Sequence, residues 1–246
     1  MNSIFDIKHI KEQSYFLNVQ CSFSLTSLSC PFTQLFVDRM PSPIGHFIST
    51  HVYEGRLLSH HKVHSKRCLA FIHADGIEAK SGKSHRNAKE VQTVTHLVRN
   101  YYRSFNFAII TPYDAQRAAI VAGLKGAHLP WEGRVFNVDS FQGNEADIVI
   151  VSVVRTNGPG FLKNLNRTNV LLTRCKMGMI IVTNRSFIYG GGKKTLLGKL
   201  AGYWEKRESG EGKLNWVDWR RVAEGKAKLP SEALYEELED HRCSGQ

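Results

Sequence analysis

Apolar residues fall along this chain in two rhythms, one suited to helices and one to buried strands. Ile44, Phe47, Ile48 and Val52 recur at helical spacing and predict a short helix. "CLAFIHA" (68–74) is a short apolar run and reads as a strand. From Asn87 to Tyr102, Val91, Val94, Thr95, Val98 and Tyr102 mark one helical face, and Asn87 with Glu90 makes a capping pair for its start. The order then alternates. "FAIIT" is a strand, "DAQRAAIVAGL" a helix, "RVFNVDS" and "DIVIVSVV" strands, "NRTNVLLTRCK" a helix and "GMIIVTN" a strand. Near-continuous apolar strands alternating with helices predict an α/β fold: a mainly parallel sheet covered by helices on both faces.

The flanks are less regular. Residues 1–35 show no clear period and form an unassigned leader. The glycines of "YGGGKK" mark a break after about residue 190. "TLLGKLAGYWEK" reads as a helix, and the sequence beyond about residue 206 is polar, ending in "EALYEELED". The expected division is a leader (1–35), an α/β domain (36–190) and a basic-then-acidic tail with short helices (191–246).

Composition narrows the partners. The hydrophobic fraction of 42% and charged fraction of 22% are ordinary for a globular chain of 246 residues. The net charge of +11 is not, and it favours a polyanionic partner, nucleic acid being commonest. Five scattered cysteines without a C-x-x-C pair suit a reducing compartment, so an intracellular location, cytoplasm or nucleus, is expected. Residues 13–37 carry no formal charge, but Ser, Thr, Gln and Asn interrupt them too often for a membrane span. His60, His61, His64 and Cys68 lack a second pair at zinc-finger spacing, so no metal site is expected. Trp204, Trp216 and Trp219 lie among basic residues, and they suit either base stacking or packing back on the domain.

"SGKS" (81–84) has the ending of a phosphate-binding loop, G-x-x-x-x-G-K-[ST]. That signature needs a glycine at position 77, where Ile77 stands; Gly76 is one place too far. The segment therefore reads as a polar strand-to-helix loop.

Three segments carry chemistry. "VDSFQGNEADIVIVSVVRTN" (138–157) places Gln142, Gly143 and Glu145 in a polar turn between two adjacent strands, at the carboxyl end where open α/β sheets bind ligands. "NRTNVLLTRCKMGMIIV" (166–182) puts Arg167, Arg174 and Lys176 on one short helix, with the two arginines on one face and suited to phosphate. "IITPYDAQRAAI" (109–120) ends a strand in Thr111 and Pro112, and opens a helix at Tyr113 and Gln116, where hydroxyls and helix amides suit nucleic-acid phosphates.

In this order the three segments resemble motifs V, VI and IV of the second RecA-like domain of superfamily 1 RNA/DNA helicases. The similarity runs from about residue 35 to 190 and points to the group of the nonsense-mediated-decay helicase and Senataxin. "DRMPSPIGHFI" resembles the segment these helicases write as Q-Y-R-M-x-x-x-I. The resemblance implies that Arg174 is the arginine finger on the γ-phosphate of ATP and that Arg39 is a second γ-phosphate contact. It places Gln142, Gly143 and Glu145 at the nucleotide, and Thr111, Pro112, Tyr113 and Ser140 at the backbone of single-stranded RNA or DNA. It implies a P-loop-NTPase-type second helicase domain without its own P-loop. ATP with Mg2+ would be used only with a partner RecA-like domain that bears the P-loop and the acidic pair. Such a chain is not expected to hydrolyse ATP alone. The alternative is a degenerate, non-catalytic module that binds nucleic acid or protein. Val37-Asp38 replaces the family's Gln-Tyr, and Asp38 cannot stack on adenine; Cys175 stands where alanine is usual.

Overall fold

The computed structural model describes residues 35–37, 39–206 and 216–230. The leader, Asp38 and the acidic end lie outside them. In chain order the elements are β1 (Leu35–Val37), α1 (Ser42–Val52), β2 (Leu57–Ser59), β3 (Leu69–His73), β4 (Ala79–Ser81), β5 (Ser84–Arg86), α2 (Ala88–Leu97), β6 (Phe107–Thr111), α3 (Asp114–Gly126), β7 (Val135–Asn137), β8 (Ala146–Ser152), α4 (Leu165–Leu172), β9 (Cys175–Thr183), α5 (Arg185–Tyr189), α6 (Leu196–Lys206), β10 (Trp216–Asp218) and α7 (Trp219–Ala223).

Six strands form one sheet in the order β10-β3-β9-β8-β6-β7, and every neighbouring pair is parallel. The fold is thus the α/β class that the apolar rhythm predicts. Side chains of β3, β8 and β9 are buried on both faces, which is why those strands read as unbroken apolar runs. One face packs α1, α4, α5 and α6 through Ile44, Phe47, Leu171, Leu197 and Trp204. The other packs α2, α3 and α7 through Val94, Leu97, Ile120, Leu124 and Val222.

Four expectations change. First, the sheet does not stop near residue 190. Trp216–Asp218 pairs with β3 as the edge strand, Trp216 lies against Phe71 with ring centroids 5.0 Å apart, and α7 covers α2. Three residues are too few to show a period, so this strand is invisible in the sequence. Second, α4 ends at Leu172, and Thr173 closes it by donating from Oγ1 to the Asn169 carbonyl at 2.9 Å. Arg174 and Lys176 therefore lie beyond the helix, Lys176 within β9. Third, β7 and β8 are not sheet neighbours, because β6 lies between them. Fourth, the "SGKS" loop contains a hairpin. Ser81 pairs with Ser84 around Gly82-Lys83, and Gly82 takes φ +58°, as the first central residue of a II′ turn must.

Candidate nucleotide and nucleic-acid surfaces

Parallel strands give the sheet a defined amino edge and carboxyl edge. The segment 138–145 leaves β7 at the carboxyl edge and enters β8 at the amino edge, with Val138 and Phe141 buried beneath the sheet. Glu145 consequently lies at the amino edge, not at the carboxyl edge its sequence context suggests. There Ala146 N–H donates to the Arg174 carbonyl at 3.2 Å, and Ala146 pairs with Cys175.

Two cations pair with Glu145, and a third, Arg174, lies near enough to feel its charge. Arg39 Nε lies 3.6 Å from Glu145 Oε2, and Lys176 Nζ lies 2.5 Å from Oε1. Lys176 falls in the stretch where β9 carries one residue more than β8 between successive pairs, a bulge that re-aims side chains. Arg39 also donates from Nη2 to the Thr173 carbonyl at 3.5 Å. Arg174 is buried, and its Nε donates to the Val170 carbonyl at 3.1 Å. Burial pushes the Arg174 guanidinium down from 12.5 to about 10; Arg39 pushes the same way, and Glu145 and Tyr53 oppose it. It stays protonated at neutral pH. The cluster therefore holds three positive charges against one carboxylate, and two of the cations repel each other. An anion with several oxygens would relieve that repulsion.

Gln142 and Gly143 stand in the same turn and are exposed. Gly143 takes φ +88°, a conformation only glycine adopts without strain. The structure thus brings Arg39, Glu145 and Arg174 together across 135 residues of chain and adds Lys176.

The residues expected at nucleic acid collect at the opposite, carboxyl edge. Ser140 caps the end of β7, its N–H donating to Asn137 Oδ1 at 2.7 Å, and Asn137 Nδ2 reaches Asp114 Oδ1 at 3.2 Å. Ser140 is exposed, Pro112 and Tyr113 are half-buried, and Thr111 is fully buried with its hydroxyl unpartnered. Tyr113 OH accepts from Phe161 N–H at 3.3 Å, and Arg155 Nη1 lies 3.5 Å from it. Arg155 Nε is paired with Glu78 Oε2 at 2.5 Å, both side chains mostly covered. This pair joins the loops after β3 and β8 and carries no motif spacing that would reveal it in the sequence.

Beneath that edge lies a polar network. Asn87 caps α2 by accepting from Lys89 and Glu90 N–H. Glu90 does not complete the capping box, because Gln116 Oε1 takes the Asn87 N–H at 2.8 Å. Glu90 turns inward, and its Oε2 accepts from the Ser152 hydroxyl at 2.6 Å and from Val154 N–H at 2.9 Å. Complete burial pushes its carboxyl up from 4.5 to about 8, against the pull of those bonds. Val154 has φ +71°, and Arg155 N–H donates back to the Val153 carbonyl at 2.9 Å. That is a γ-turn of the rare, strained hand, held by side chains of α2 and leading directly into Arg155.

No helix among the described residues is long and apolar enough to cross a membrane. Among them, no group of three or more His, Cys, Asp or Glu could hold a metal ion.

The domain thus carries a cation-rich cluster at one end of its parallel sheet and a polar, aromatic edge at the other. Residues 30–186 match the model of the AAA domain family AAA_12, and the chain belongs to that family. It is also homologous to superfamily 1 helicases. It is 34% identical over 212 residues to the regulator of nonsense transcripts 1 homolog of Drosophila melanogaster, covering 75% of this chain and 18% of that protein. It is 34% identical over 173 residues to human probable helicase senataxin, covering 62% of this chain and 6% of that protein. An uncharacterized ATP-dependent helicase of Methanocaldococcus jannaschii is 36% identical over 123 residues, covering 49% of this chain and 18% of that protein. The chain thus spans less than a fifth of each of these relatives.

Proposed function

We propose that this chain is the second RecA-like domain of a superfamily 1 RNA or DNA helicase, and that it lends arginines to ATP held by a P-loop-bearing partner domain. The observation that carries the reading is the gathering of Arg39, Arg174 and Lys176 around Glu145 at the amino edge of β8 and β9. A cluster with more positive than negative charge fits a triphosphate. ATP with Mg2+, when bound, supplies a γ-phosphoryl group for transfer to water. Arg174 acts as the arginine finger and offsets charge on the γ-phosphate oxygens, and Arg39 makes a second contact. Glu145 accepts from a ribose hydroxyl, and Gln142 and Gly143 line the same cleft. Pro112, Tyr113 and Ser140 meet the backbone of a single strand without reading its sequence. Thr111, being buried, shapes that edge from beneath. Such a domain works in the cytoplasm or nucleus.

The test is ATP hydrolysis measured on the chain alone and on the chain mixed with a P-loop-bearing RecA-like domain, each with and without single-stranded RNA. Turnover is expected only in the mixture, and Arg174→Ala should lower it by roughly 10³–10⁵, the usual worth of an arginine finger. RNA-stimulated hydrolysis by the chain alone would overturn the division of labour. A mixture that binds RNA but never turns over ATP would favour a non-catalytic module.

A further inference from the structure

The β4–β5 hairpin around Gly82 and Lys83 is left unused by the nucleotide cluster, which lies at the other edge of the sheet. The hairpin stands at the carboxyl edge. Ser84 Oγ accepts from Ala115 N–H in the first turn of α3 at 3.2 Å, and the His85 ring meets Tyr113 edge-on with centroids 5.4 Å apart. Lys80 and His85 are cross-strand partners, and directly opposed residues share a face. Lys80 therefore lies on the hairpin face that is turned toward Tyr113, with Lys83 at the apex.

Charge on this hairpin is uncompensated. Lys80, Lys83 and Arg86 are exposed, and among the described residues none of them makes an ion pair. The acid just before the hairpin, Glu78, is turned inward to Arg155. Ile77, the residue before Glu78, is 80% exposed, against 44% for Leu165 and 36% for Tyr189, the other exposed large apolar side chains among the described residues. Cations without counter-charges beside an exposed apolar side chain and a tyrosine suit a strand that offers both phosphates and base faces.

We propose that the β4–β5 hairpin is a binding site for single-stranded nucleic acid, with Lys80 and Lys83 on successive phosphates and Ile77 against a base. The site rests on the proposed function, because it extends the strand path that runs over Ser140 and Tyr113.

The experiment is fluorescence anisotropy of a labelled 15-nucleotide RNA with the full chain, titrated with salt. Loss of two phosphate contacts in Lys80→Gln/Lys83→Gln should lower the slope of log affinity against log salt by about 1.4 and weaken binding about 25-fold at 0.1 M salt. The charge-matched control is Arg99→Gln/Arg103→Gln, at the far end of the helical segment that α2 begins; it should leave the slope nearly unchanged. In the wild-type chain, a 4-thiouridine RNA should cross-link to the peptide spanning Ile77 to Arg86, a readout that needs no variant to fold. An RNA-binding wild type whose hairpin variant keeps its slope, or whose control variant loses as much, overturns the hairpin site and leaves the domain reading intact. Cross-links confined to other peptides, or equal affinity for poly-glutamate, overturn it as well. A wild type that binds no RNA removes both the site and the reading on which it rests.

Discussion

Replacing Glu90 with glutamine should change how stability depends on pH more than it changes stability itself. The glutamate is completely buried, and its folded-state carboxyl titrates near 8 instead of 4.5. The folded protein therefore binds a proton that the unfolded chain has already released over most of that range. Stability from this group is fully present below pH 4.5 and is lost as pH rises through 8. At 1.36 kcal/mol per pH unit, the shift from 4.5 to about 8 amounts to at most about 5 kcal/mol, of which about 3.5 kcal/mol falls between pH 5 and pH 8. Glutamine has nearly the same shape. Its carbonyl oxygen can accept both bonds that Glu90 Oε2 accepts from Ser152 and Val154, and it does not titrate. At pH 5 the Glu90→Gln protein should be the less stable by about 1–3 kcal/mol, since its amide nitrogen buries two polar hydrogens where the protonated carboxyl buries one. At pH 8 the Glu90→Gln protein should be the more stable. Urea denaturation of both proteins at pH 5, 6, 7 and 8 measures the difference directly, and all other titrating groups cancel. If the two curves run parallel across that range, Glu90 does not hold its proton and the account of the polar network is wrong.

Two further outcomes follow from burial. Trp204 is 2% exposed in the α6 layer, so Trp204→Ala should cost about 3–5 kcal/mol in chemical denaturation, as large aromatic truncations in cores do; a loss under 1 kcal/mol would mean that α6 is not docked as described. Cys175 opens β9 in full burial, and burial pushes its thiol up to about 12. Iodoacetamide at pH 8 should leave Cys175 unmodified in the folded chain and alkylate it in urea, and mass spectrometry showing prompt native labelling would contradict that placement.

The sheet was legible because β3, β6, β8 and β9 are buried on both faces, and burial on both faces writes an unbroken apolar run into the sequence. Of the short strands, only β7 is legible. β4, β5 and β10 have three residues each, and β10 owes its place to Trp216 against Phe71 across a long excursion of chain. Arg39, Glu145 and Arg174 could be named from local motifs, but their meeting depends on where the crossover from β7 to β8 comes down. Lys176 reads in the sequence as a helix charge, whereas its partner is fixed by a bulge that no spacing announces. Glu90 reads as half of a cap because Asn87 does cap the helix. Only the packing of α3 shows that Gln116 has taken the other half and freed the glutamate to turn inward.

Ser140 and Glu145 are five residues apart, yet one belongs to the carboxyl edge and the other to the amino edge. Five residues can stretch no further than about 17 Å, and the first of them after Ser140, Phe141, is held in the core. The segment is short, anchored there and held in a turn by the Asn144 N–H bond to the Phe141 carbonyl at 3.1 Å, so its two ends are closely coupled. On the proposed reading it is a strut: a displacement of Glu145 when the nucleotide changes must be delivered to Ser140, at the strand of RNA or DNA, within the length of one covalent segment. Lengthening it by two glycines would leave both ends chemically intact and remove the stiffness between them.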